Sequence, residues 1–195
     1  MTHEPNPFVS PDEAGMGYDL TDDEQALLFD ALNWVYMAVT KADETGFRTA
    51  QREAQAWLDH YLAVRTRYPE NVLVQQVFKS TGDKREFHEM LGRSRRDMKR
   101  DRKTHRLRGS EDWLNHAKAK LIDVNGVLEA KVEQPDPGRS DAGRSDAMEF
   151  RNWLMWVGES IAGAGIRKGA TRSEGTVSPQ EGLVLAELSL AVGLS

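Results

Sequence analysis

Nine Lys or Arg residues crowd the sixteen positions of RSRRDMKRDRKTHRLR, Arg93 to Arg108, against two acids, Asp97 and Asp101. The run carries +7, so the remainder of a chain whose total is -5 carries -12. Cations at this density attract polyanions. Arg95, Arg96, Lys99, Arg100, Arg102, Lys103 and Arg106 are therefore the candidate contacts for a nucleic-acid phosphate backbone, an acidic protein or a peripheral anionic membrane surface. Only Met98 and Leu107 are large and apolar, so the segment cannot be mostly buried. It also has no interleaved aromatic ring on which single-stranded bases would stack. An internal partner competes with these external ones: residues 1–40 hold eight acids and no Lys or Arg. Charge runs often neutralise such a patch on their own fold.

Other groupings fail on spacing. His88 opens HEMLG, but Gly92 stands where a zinc-binding helix needs its second histidine. No Glu-x-x-His precedes any of the five histidines, which argues against a di-iron bundle. His60 and His116 fall on amphipathic stretches and read as surface or boundary residues rather than ligands or bases. GRSDA resembles a nucleophile elbow in outline only, with alanine as its fifth residue and no strand before it. GAGIRKG, Gly163 to Gly169, misses the dinucleotide fingerprint, although Arg167, Lys168 and Arg172 would suit a phosphate. The absence of cysteine removes thiolate metal sites, thiol nucleophiles and disulfides. No enzyme signature survives, and the chain is expected to be non-enzymatic.

The stretch EGTVSPQE, Glu174 to Glu181, is first a helix start. Ser178 can cap, Pro179 suits the first turn, and Glu181 closes a capping box. The same logic places the other helices. Thr21 with Glu24 opens the first, and Leu27, Leu28, Ala31, Leu32, Val35, Ala38, Val39 and Ala42 recur at the spacing of one buried face. Thr49 is expected to cap a second, with Ala54, Trp57, Leu58, Tyr61 and Leu62 inward. A short third runs near Val72 to Phe78, Asp83 caps a fourth, and Ser110 caps a fifth bearing Trp113, Leu114, Ala117, Leu121, Val124, Leu128 and Val132. A sixth carries Phe150, Trp153, Leu154, Val157 and Ile161. The last carries Leu183, Ala186 and Leu190 on one side, with Val184 and Leu188 adjoining.

No segment alternates with the period of a strand, so the fold class expected is all-α, a compact multi-helix bundle. Residues 1–19 read as a flexible acidic arm and 20–195 as one domain. Within that domain 134–146, with its tandem GRSDA, is expected to be a solvated linker. No apolar run approaches the roughly 18 residues of a membrane span, and the N-terminus lacks a signal-peptide pattern, so a cytoplasmic location is expected.

Asn33-Trp34 and Asn152-Trp153 each open a helix-loop-helix. In both, a glycine, a hydroxyl three residues later and a glutamine five later lead into the next helix, as in a degenerate duplication. These stretches, ALNWVYMAVTKADETG and EGTVSPQEGLVLAELSLAVGL, resemble the helical TerB-like family, the tellurite-resistance B type. The resemblance covers residues 21–66 and 147–194 and omits the basic segment. It implies a stress-response module that works through a protein partner, with loop acids that bind a divalent cation, calcium or magnesium, weakly. Carried over by position, those acids are Asp43 and Glu44 in the first copy and Glu174 and Glu181 in the second. Arg52 occupies the place that matches Glu181, and Gly46 stands three after Asp43 instead of one. A nucleic-acid-binding protein that uses 93–108 is the alternative.

Overall fold

Thr21 does start the first helix. Its hydroxyl accepts from the Glu24 amide at 3.2 Å, and the Glu24 carboxylate accepts from the Thr21 amide at 2.8 Å. A computed structural model describes residues 17–42, 47–133, 140–164 and 177–194. Its order is α1 (Asp22–Ala42), α2 (Phe47–Arg67), α3 (Val72–Val77), a 3-10 turn (Lys79–Gly82), α4 (Lys84–Thr104), α5 (Ser110–Val127), α6 (Ser140–Ala164) and α7 (Pro179–Ala191). A π-helical turn, Leu128–Val132, prolongs α5. The fold is all-α, with no strand among the described residues.

α1 is the central helix because it is apolar over most of its circumference. It packs most closely on α5, and also on α6 and α7. Leu28, Ala31, Leu32, Val35, Ala38 and Val39 are wholly buried, as their spacing requires, while Leu27 and Ala42 at the two ends of the stripe are only half-buried. α2 and α3 lie against α6, and Phe29, Tyr61, Phe78, Phe150 and Trp153 form one aromatic chain through the core.

Several expectations need correction. α2 begins at Phe47, so Thr49 lies inside its first turn and is not its cap. On that helix Leu62 is 51% exposed and Val64 is buried in its place. Ser110 is the first residue of α5, not its cap. Asp112 reaches back instead to the amides of Arg108 and Gly109 at 2.9 and 3.0 Å. In α7 Leu183 and Leu190 face outward, 68% and 69% exposed, while Val184, Leu185 and Leu188 face in. α7 is apolar on nearly every side, so periodicity could not choose its inner face.

The largest correction concerns the linker. Residues 140–146 form the first turns of α6, and residues 134–139 lie outside the described residues. Gly143, Asp146, Ala147 and Phe150 are buried at helical spacing. A Cβ on Gly143 would collide with the Val132 carbonyl oxygen, so the glycine lets α6 lie against the π-helical turn. Asp146 accepts from the Tyr18 hydroxyl at 2.8 Å and from the Val72 amide at 3.0 Å, in the first turn of α3. Small residues that look like a solvated repeat serve here as a close-packing face.

Residues 17–19, expected to be the end of a flexible arm, are held in place. Tyr18 exchanges two backbone hydrogen bonds with the Gln76 side chain, each 2.8 Å, so residues 17–20 are fastened to α3. Residues 1–16 lie outside the described residues.

A candidate polyanion-binding face

α4 is amphipathic in an unusual sense: its outer face is basic and its inner face is partly acidic. Asp83 caps it, accepting from the Arg85 and Glu86 amides at 2.8 and 2.9 Å. Phe87, Leu91 and Ser94 are buried, with Met90, Asp97, Met98 and Asp101 half-buried beside them. All nine cations from Arg93 to Arg108 are exposed. The helix reaches the bundle chiefly through side chains: Phe87 meets Tyr61, and the Ser94 hydroxyl accepts from Asn33. Asp101 meets His116 at 3.3 Å and Lys120 at 3.8 Å on α5.

The inner acids face a third carboxylate. Asp30 of α1 accepts from Asn33 at 3.2 Å and lies near Ser94, Asp97 and Asp101. Burial and the two neighbouring carboxylates push its pKa up to about 6, against the opposing hydrogen bonds of Ser94 and Asn33. His116 stacks near His105 and edge-on to Trp34, with ring centroids 4.9 Å apart in both cases. Burial holds its pKa below the ordinary histidine value, although Asp101 pulls the other way. Its side chain is 9% exposed and the residue as a whole is half-buried, the boundary position expected of it.

The seven candidate cations are divided by the helix. Lys99, Arg102, Lys103 and Arg106 surround one concavity of about 370 Å³, joined by Arg108, with Leu107 as the apolar wall. Arg95 turns toward a smaller cavity between α1, α2 and α4, lined also by Tyr36, Trp57 and Met98. Arg100 pairs with Asp97 at 3.1 Å. Arg96 belongs to neither cavity. Among the described residues Arg100 is the only one of the nine cations in an ion pair, and no acid of α1 reaches them. Neutralisation by the acidic N-terminal residues is therefore not seen where both partners are described.

The turn after α4 adds a backbone observation. His105 ends the helix, Arg106 adopts φ 54°, and the Leu107 amide returns to the Arg102 carbonyl at 3.0 Å. This closing motif normally places glycine in the left-handed position. α7 ends the same way with glycine: Gly193 has φ 89° and the Leu194 amide returns to Ser189 at 2.9 Å. At α4 a bulky arginine holds that position, and its side chain lines the basic concavity. Nothing in the sequence run marks Arg106 apart from its neighbours, since the left-handed conformation is a product of the turn.

The loop acids fare differently. Asp43, Glu44 and Glu174 lie outside the described residues. Glu181 is 5% exposed, and its carboxylate accepts from the Ser178 amide at 2.9 Å while the Ser178 hydroxyl accepts from the Glu181 amide at 3.2 Å. That carboxylate is committed to the start of α7, with Pro179 in the first turn as expected. No group of three or more His, Asp or Glu among the described residues is placed to hold a metal ion. The two Asn-Trp units also diverge: Asn33 is buried and accepts from Trp57 at 3.1 Å, whereas Asn152 is exposed.

Sequence reasoning missed one central residue. Arg151 of α6 is 4% exposed and donates to Asn125, to the Val192 carbonyl and to Glu133, which ties α5, the π-helical turn and the end of α7 together. An arginine at the edge of an apolar stripe gives no sequence signal of such burial. No helix among the described residues is long and apolar enough to cross a membrane. The chain matches no protein-family model, no curated protein and no solved structure.

Proposed function

We propose that this chain is a helical binding module that acts by docking a polyanion, the phosphate backbone of a nucleic acid, on the outward face of α4. The observation that carries this reading is the basic concavity: Lys99, Arg102, Lys103, Arg106 and Arg108 converge without an acid among the lining residues. A left-handed arginine at its edge supports it, because strained backbone tends to be retained at binding sites. The TerB-like segments supply α1, α2, α6 and α7, a frame whose helices pack on one another and carry α4 at one side. In this reading the frame is TerB-like and the added basic helix gives it a ligand.

Each phosphate neutralised releases counterions, so log K falls by about 0.9 per phosphate for each log unit of salt on B-form DNA. Fluorescence anisotropy with a labelled duplex tests the proposal from low to moderate salt. Affinity is expected to drop by orders of magnitude, and Lys99, Arg102 and Lys103 changed together to Gln lower the slope by roughly three phosphate equivalents. Absence of binding at low salt would overturn the reading, as would an unchanged slope in the triple variant.

A further inference from the structure

The seam where α5 lies beside α7 carries apolar side chains that the fold leaves uncovered. Lys118 of α5 donates to Glu187 of α7 at 2.6 Å, and a Cβ on Gly193 would meet Asn125 Oδ1, so Asn125 lies beside Gly193. The two helices therefore run parallel, in nearly equal register. Ile122 and Leu190 stand between these two links, 59% and 69% exposed, and Leu183, one turn before Glu187, extends the strip at 68%. Ala119 and Gly126 on α5, with Gly182, Ala186 and Gly193 around α7, are exposed beside them, so little bulk keeps another surface away.

Charge and shape select what covers this strip. α7 contains no Lys or Arg, and Glu181 is closed into its capping box, so Lys118 and Glu187 supply the charge on the seam. A helix that lies on a membrane carries Lys or Arg on its polar face, which α7 lacks. Residues 165–176, GIRKGATRSEGT, lead into α7 with Ile166 as their one large apolar residue, too little to cover three aliphatic side chains. A second copy of the chain does match. A two-fold axis along the seam lays α7 of one copy over α5 of the other, which sets Glu187 over Lys118 and Leu190 over Ile122 in both directions. The 13 residues of α7 are about 20 Å long and two adjacent helices about 20 Å wide, a face at the small end of stable interfaces.

We propose that this seam is a homodimer contact, in which two copies of the chain pair α5 and α7 about that axis. α4 takes no part, so the contact is independent of the polyanion face and of the function proposed for it.

Sedimentation velocity on the full chain from about 1 to about 500 µM tests the proposal, and a face of this size is expected to give a dissociation constant in the micromolar range. Leu190→Glu and Ile122→Glu, both at exposed positions, should each weaken the dimer by about tenfold or more. Leu62→Glu, an exposed leucine of α2 away from the seam, should leave it unchanged. Lys118→Glu should weaken it as well, and the addition of Glu187→Lys should restore it, because the reversed pair matches itself again across the axis. If one seam variant fails to fold by circular dichroism, the other decides. A chain that stays monomeric at the highest concentration overturns the proposal, whether solvent or another part of the chain covers the seam. A dimer that survives the folded seam variants overturns it too. So does equal weakening by Leu62→Glu, which marks general apolar adhesion, or a double reversal no tighter than Lys118→Glu alone, which removes the two-fold pairing.

Discussion

Asp30 shows how a single carboxylate sets the pH response of the α1–α4 contact. It is ringed by Asn33 on its own helix and by Ser94, Asp97 and Asp101 on α4. Its folded pKa of about 6 lies above the ordinary 3.8, so between those values the folded state holds the proton and the unfolded state does not. Stability from this group therefore rises as pH falls from 6 toward 4, and is lost as pH rises through 6. Above pH 6 the folded protein carries the cost of a half-buried charge beside two others. Asp30→Asn is expected to raise stability at pH 7 by on the order of 2 kcal/mol, after a discount for partial exposure. The gain should shrink as pH approaches 4. Urea titrations of both proteins from pH 4 to 8 test this, and a variant less stable at every pH would mean that the carboxylate serves Asn33 and Ser94 more than it costs.

At the scale of elements, the ends of α4 and α7 make a controlled comparison. In both, the residue after the left-handed position, which is Arg106 in one and Gly193 in the other, donates its amide to the carbonyl five residues back. Gly193 is required twice over, because a Cβ there would meet Asn125 Oδ1 at 2.6 Å as well as the strain of positive φ. Arg106 bears the strain, which for a residue with a Cβ is about 1 kcal/mol or somewhat more. Arg106→Gly is expected to stabilise the fold by up to about 1 kcal/mol and to weaken duplex binding. Thermal melts and anisotropy on the same variant measure the two effects. A destabilised variant with full affinity would show that Arg106 serves the fold and not a ligand.

For the molecule as a whole, the long-range tie is Arg151. It joins α6 to Asn125 of α5, to Glu133 beyond the π-helical turn and to the Val192 carbonyl after α7. Removal of one partner from a buried charged network leaves the others desolvated and unpaired. Arg151→Met, similar in length and apolar, is expected to cost about 3 to 5 kcal/mol in chemical denaturation. A loss below about 1 kcal/mol would mean that the network is as weak as a surface pair.

How much of this was legible depends on which forces act locally. Capping boxes at Thr21 and Ser178 involve residues three apart, and the stripe of α1 repeats within one helix, so both are written into the order of the chain. The charge of Arg93 to Arg108 is equally plain, and it must face solvent because burial would be prohibitive. Other features depend on neighbours far along the chain. Gly143 and Asp146 read as linker residues because nothing nearby shows that Val132 and Val72 will lie against them. α7 is apolar all round, so only its neighbours could turn Leu185 inward and Leu183 out. The division of seven like cations into a concave cluster, a cavity edge, an ion pair and one outside all three, Arg96, arose in the same way. Helix angle and the turn at Arg106 decide it, and those follow from how α4 rests on α1 and α5.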